Sequence, residues 1–189
     1  MKYAAPAIAE AEVPRAALSF AQPMLDTYAS ETNKTCAVWS CFADADLAYA
    51  PHPRASNVAT VLKHQLLSER RFFAEFLGTA EPPAEAVLPA SVNVEACRLR
   101  FVELARPRLA LLAAQDEAWW LERVPFFDVV RERAWIFWRR VLHSAHHRTQ
   151  LTVYLRLLDR PVPPTYGPTA DVSWTGADPT NSVEAAGRK

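Results

Sequence analysis

Glycine is scarce in this sequence: there are four glycines among 189 residues, and they are not clustered. Loops that bind phosphate groups through backbone amides need several closely spaced glycines. The sequence therefore excludes nucleotide-binding loops of that type.

Cysteine is also rare. The three cysteines, Cys36, Cys41 and Cys97, are odd in number and form no CxxC pair. This pattern fits neither a disulfide framework nor a thiolate zinc site. We therefore expect three ordinary thiols of the hydrophobic core.

The chain lacks an excess of charge of either sign, since 21 basic residues balance 21 acidic residues. Balanced charge gives no general attraction to nucleic acid or to an anionic membrane surface. No apolar run approaches the roughly 20 residues that span a bilayer. The N-terminal stretch, MKYAAPAIAEAEVPRAALSF, carries acids and prolines where a signal peptide needs an apolar run. We expect a cytoplasmic protein without nucleic-acid or membrane partners.

Half of the residues are hydrophobic, and their helical periodicity between proline-rich breaks predicts four long helices. The predicted helices cover residues 24–42, 57–77, 92–114 and 127–158. Ser56 and Gly78 are expected to cap the second helix, and Ser91 to open the third. The run VPFFDVV is the only β-like segment.

Four long helices with short or proline-rich connections favour an all-α fold, a four-helix bundle. We expect the bundle domain to span residues 21–170. Residues 1–20 would be an N-terminal extension, and residues 171–189 a C-terminal tail.

Three of the five histidines lie in one short segment, HSAHHRTQ. On a helix, His143 and His147 lie one turn apart on the same inward face, whereas His146 points to one side. Such a pair can hold a metal ion about 2 Å from each ring; a hydrogen-bonded pair of core histidines is the alternative. A third ligand would be His64, at the edge of an apolar stripe, or His52, which its flanking prolines place in a turn.

The segment LHSAHHRTQLTVYLRLLDRPVPPTYGPTAD resembles the last helix and following turn of the DinB-like (YfiT-like) family of four-helix-bundle metalloproteins. That family commonly carries the pattern H-x-x-H-H-R-x-Q-x-x-x-Y-L-R and then Y-G-P, and every letter of it is matched here. The segment YAPHPRASNVATVLKHQLLSERRFFAEFLG resembles, more loosely, the stretch that contains the family's second helix.

This resemblance implies a divalent metal ion, most often nickel or zinc, bound by one histidine of the second helix and two of the fourth. Carried over by position, the ligands are His64, His143 and His147. The resemblance also implies a homodimer. Gln150 and Tyr154 lie in the same helical sector as the histidine pair, so they are candidates for supporting the ligands or for contacting a substrate.

Three neutral imidazoles would leave a metal its full charge and an open position, at which it could acidify a bound thiol or water. Related families include thiol-dependent transferases, so the resemblance favours an enzyme that transfers a low-molecular-weight thiol to an electrophilic small molecule. A metal-dependent hydrolase is the first alternative, with Glu69 or Glu75 as the nearest candidate bases. A non-catalytic metal- or ligand-binding stress protein is the second.

Overall fold

The computed structural model describes residues 7–171, so the predicted tail, apart from Asp171, and residues 1–6 of the predicted extension lie outside the described part. The described residues are mostly helical, with one small sheet. The elements are α1 (Gln22–Trp39), α2 (Val58–Leu77), α3 (Val94–Ala113), α4 (Glu117–Leu121), β1 (Arg123–Phe126), β2 (Val129–Glu132) and α5 (Arg133–Leu157).

Asparagines, rather than the expected serines, cap the starts of α2 and α3. The Asn57 side chain accepts a hydrogen bond from the backbone N–H of Thr60 at 2.8 Å, and Asn93 accepts one from Ala96 at 2.7 Å. These bonds satisfy amide groups that have no partner within the helix. At the other end of α2, Gly78 has a φ of +69°, the left-handed conformation that was predicted for this position.

The predicted fourth helix starts six residues too early. Residues 123–132 form an antiparallel hairpin instead, with Phe126 paired to Val129 across a two-residue turn. Phe127, the first turn residue, has a φ of +54°. The β-branched and aromatic side chains of VPFFDVV favour the hairpin, and a two-residue connection of this kind needs positive φ. An all-α description therefore misses this sheet.

The four long helices pack around one hydrophobic core. Helix α1 packs against α3 and α5, and α2 packs mainly against α5. The largest buried apolar side chains include Trp39, Phe76, Trp120 and Phe137. Two of the free cysteines are buried and Cys41 is half-buried, in keeping with core thiols. None of the helices in the described part is long and apolar enough to cross a membrane.

Residues 7–21 are attached to the helices at several points. Ile8 is buried, its N–H donates to the Asn33 side chain at 2.8 Å, and its carbonyl accepts from the same side chain at 2.7 Å. The N–H of Ala17 donates to the carbonyl of Ala113 at 2.8 Å. The predicted domain limits at residues 20 and 170 stay a prediction.

Candidate metal centre

The packing of α2 against α5 brings His64, His143 and His147 together. One ring nitrogen of each lies within 4.8 Å of the others, and Nε2 of His64 is 3.3 Å from Nε2 of His143. Two nitrogens that bind one tetrahedral metal at about 2.0–2.1 Å are separated by roughly 3.3–3.4 Å. The donor set and this spacing fit a metal ion bound by three imidazoles.

A buried glutamine sets the alignment of the two helices at this level. Gln65, next to His64, donates from its amide to the backbone carbonyl of Ser144 at 3.3 Å and accepts from the indole N–H of Trp39 at 3.2 Å. Because Ser144 follows His143 in the chain, this bond fixes the position of His64 along the axis of α2 relative to the histidine pair. The contact explains how a residue at the edge of the α2 apolar stripe comes to face α5.

A chain of hydrogen bonds determines which nitrogen of His147 is available. The carbonyl of Ser56 can only accept, so the Tyr154 hydroxyl donates to it at 3.0 Å and accepts from the Gln150 amide nitrogen at 2.9 Å. The amide oxygen of Gln150 must then accept from Nδ1 of His147 at 3.1 Å. Nε2 of His147 keeps its lone pair for a metal. Gln150 and Tyr154, the two further residues that the sequence indicated, therefore lie on the Nδ1 side of His147, away from Nε2.

All three imidazoles are held neutral by their surroundings. Burial lowers the pKa of His143 to about 3, with help from the positive charge of Arg140 and from the neighbouring rings. Partial desolvation, followed by Arg140, also lowers the pKa of His64. Burial lowers the pKa of His147 despite the opposing hydrogen bond of Gln150. Neutral rings are the form that binds a metal, so no proton has to leave at neutral pH.

The two remaining histidines do not join this group. His52 is exposed in a turn, where Nδ1 accepts a hydrogen bond from the N–H of Arg54 at 3.1 Å. His146 is exposed, and its ring packs edge-on against that of His147. Arg148 points to the other side of α5, where it is buried and paired with Glu31 at 2.6 Å.

A pocket of about 410 Å³ opens beside the histidines, and His64 and His143 form part of its wall. Ser68, one turn after His64, also lines it and places its hydroxyl 3.3 Å from Nε2 of His64. Arg139 and Arg140 line it one turn before His143. The sequence analysis missed these three residues, although spacings of three and four from a candidate histidine would have identified them.

Neither candidate base of the hydrolase hypothesis is free. The carboxylate of Glu69 is 1% exposed and pairs with Arg108 and Arg140, and it accepts from the Tyr28 hydroxyl at 2.9 Å. Glu75 lines the pocket, but it pairs with Arg71 at 3.0 Å. The arrangement therefore offers an accessible donor set for a metal but no unpaired carboxylate among these candidates to take a proton.

Comparison with known proteins gives consistent results. The model of the DinB family matches residues 18–177. Among solved structures, a DinB-like protein from Bacillus cereus ATCC 10987 is similar with a TM-score of 0.65 and 18% identity, over 75% of this chain and 94% of that one. The DinB-like protein YjoA from Bacillus subtilis is similar with a TM-score of 0.62 and 17% identity, over 75% of this chain and 96% of that one. At these identities the likeness concerns the fold. A comparison with curated proteins yields no match.

Proposed function

This chain belongs to the DinB family, and from that premise we propose that it is a four-helix-bundle protein that binds a divalent metal through His64, His143 and His147. The observation that carries the proposal is the convergence of three neutral imidazoles beside an open pocket. Imidazole ligands suit nickel and zinc equally, so either metal is compatible with the donor set. A cytoplasmic location stays a prediction from the sequence.

Metal binding can be tested on protein purified without a histidine tag, by dialysis against zinc or nickel followed by elemental analysis. We expect one ion per chain, and loss of tight binding in His64→Ala, His143→Ala and His147→Ala. The matched controls are His52→Ala and His146→Ala, which should keep the full stoichiometry. Retained binding in the first group, or loss in His52→Ala, would overturn the ligand assignment.

For activity, we propose metal-dependent transfer of a low-molecular-weight thiol to an electrophilic small molecule. A divalent metal on three neutral imidazoles would make a thiol that reaches its open position more acidic. The chain itself supplies a pocket whose two glutamates, Glu75 and Glu81, are both paired with arginines. The same metal would acidify bound water, but hydrolysis commonly uses a general base as well, and the paired glutamates of this pocket do not supply one. Transfer is therefore the first candidate and hydrolysis the alternative.

The activity assay combines metal-loaded protein with bacillithiol, mycothiol or glutathione and 1-chloro-2,4-dinitrobenzene. The sulfur forms the new carbon–sulfur bond, chloride leaves the ring, and the thiol proton passes to solvent. We expect a rate above background that disappears in metal-free protein and in His143→Ala. The absence of a metal-dependent rate with every thiol would refute transfer with this class of electrophile, and a metal content of one per chain would then favour a binding protein.

We also propose a homodimer, supported by an apolar stripe on the outer face of α5. Trp135, Trp138, Leu142, Val153 and Leu157 are between 41% and 65% exposed and lie within one sector of the helix, which is interrupted by the exposed His146 and Thr149 between Leu142 and Val153. An isologous contact would pair this stripe with itself in a second copy. Light scattering should give the mass of a dimer, and Leu142→Asp should give a monomer, while the matched Leu99→Asp on α3 stays dimeric. A monomeric parent protein would contradict the proposal.

A further inference from the structure

The pocket beside the histidines has a surplus of positive charge. Four arginines line it, and three of them are paired with glutamates; the pairs are Arg70 with Glu81, Arg71 with Glu75 and Arg140 with Glu69, which Arg108 shares. The fourth, Arg139, is exposed and has neither an ion pair nor a hydrogen bond to any residue between 7 and 171. Arg139 is therefore the arginine of this wall without a carboxylate partner among the described residues.

Two further donors in the same wall lack acceptors. Within the described part of the chain, Nε of Arg140 and Nε of Arg70 are buried and have no hydrogen-bond partner. Arg140 is 3% exposed, so this N–H has little access to bulk water. These N–H groups add to the positive potential of the wall, but a molecule in the pocket does not contact them, and Oε2 of Glu75 in the same wall is a buried acceptor without a partner among the described residues.

Aromatic side chains provide an apolar surface beside the arginines. Phe72 and Phe126 line the pocket, and the Phe127 ring, 65% exposed, lies at the hairpin turn under the guanidinium of Arg71 at 4.9 Å. Phe127 holds the left-handed conformation that bulky side chains rarely adopt. The hairpin turn, which requires this conformation, thereby holds an exposed aromatic ring in the wall of the pocket, where it is accessible to a ligand.

We propose that this pocket receives a carboxylate-bearing small molecule with a flat apolar body, held by Arg139 at its charged end and by Phe127 along its ring. The unpaired guanidinium of Arg139 matches a carboxylate, because it can bind both of its oxygens. The molecule's other end then faces His64 and His143. The inference rests on the proposed function, because it assigns a substrate class to the same site.

The test uses metal-free protein, so that a carboxylate cannot bind to a metal instead. Tryptophan fluorescence or calorimetry at pH 7.5 measures the dissociation constants of 3-phenylpropanoate, 3-phenylpropanamide and 3-phenylpropylammonium, which share one apolar body. We expect the anion to bind about tenfold more tightly than the amide, and the cation to bind weakest. Equal affinity for anion and amide would overturn the proposal.

Variants assign the preference to residues. Arg139→Gln should reduce the preference for the anion over the amide, measured as the ratio of their affinities, to about twofold or less. The control Arg15→Gln changes another exposed arginine, outside the pocket, and should leave this ratio unchanged. Phe127→Ala should weaken anion and amide alike, by about threefold or more. A preserved tenfold ratio in Arg139→Gln would refute the role of that residue, with circular dichroism confirming that the variant is folded.

The two proposals fail separately. Elemental analysis of the same protein preparation reports metal binding, and the probe titrations on metal-free protein report the charge preference of the pocket. Loss of metal binding with a retained anion preference would refute the metal site alone. One zinc per chain with no anion preference would refute the carboxylate pocket alone.

Discussion

Replacing Glu69 by glutamine should destabilise the fold strongly, because this carboxylate is the shared counter-ion of two guanidinium groups in the interior. Glu69 is 1% exposed and its partners Arg108 and Arg140 have side chains that are 12% and 3% exposed. The amide keeps the shape of the side chain but removes its charge, and its NH2 group faces donors. Removing one partner of a buried ion pair costs about 3–5 kcal/mol, and here two cations lose the same partner.

We expect the free energy of unfolding of Glu69→Gln to fall by about 3–5 kcal/mol, a large part of the roughly 5–15 kcal/mol that stabilises a typical domain. For a chain of this size the melting temperature should drop by about 10 °C. Urea denaturation followed by circular dichroism measures the difference. The matched control is Glu95→Gln, which removes a glutamate 62% exposed and paired with Arg98; it should cost less than about 1 kcal/mol.

A second variant separates the loss of the charge pair from a general packing defect. In Glu69→Gln combined with Arg140→Met, one unpaired guanidinium is removed, so we expect the double variant to be more stable than the single variant. The unbalanced positive charge of Arg140, close to His143, should also weaken zinc binding in the single variant. A loss no larger than that of Glu95→Gln, or a double variant that is less stable still, would refute the reasoning.

Three further predictions concern the site and the core. Gln150→Ala should weaken zinc binding about 10–100-fold in a chelator competition, because His147 loses the bond that orients it, while the exposed Thr149→Ala should not change it. Between pH 7.0 and 5.5, zinc affinity should fall by less than about 70-fold, because burial keeps the pKa of His143 near 3 and this ring takes up no proton in that range. A site of three imidazoles with the ordinary pKa would lose about 600-fold in zinc affinity over the same range. A fall of that size would contradict the neutral site. The three cysteines should resist a thiol reagent at pH 8 in the native protein and react fully in urea, because burial raises their pKa to about 11–12. Rapid labelling of all three in the native protein would count against their placement in the core.

Local periodicity was enough to place two of the three histidines of the candidate metal centre on one face. His143 and His147 are one turn apart on any helix, so their common direction required no knowledge of neighbouring elements. Gln150 lies three residues beyond His147, within hydrogen-bonding reach on the same face. The third histidine is different, because the helical wheel places His64 only at the edge of an inward stripe, and the family resemblance alone selected it.

The amino-acid sequence by itself determined where four long helices form and which histidines share a face, because both depend on spacings within one segment. Tertiary packing decided the rest. The bond from Gln65 to Ser144 aligns α2 with α5 and so brings His64 to His143. The same packing places Glu69 between two arginines, which turns a candidate base into a counter-ion. The hairpin before α5 completes the pocket wall with Phe126 and Phe127, a surface formed by residues far apart along the chain.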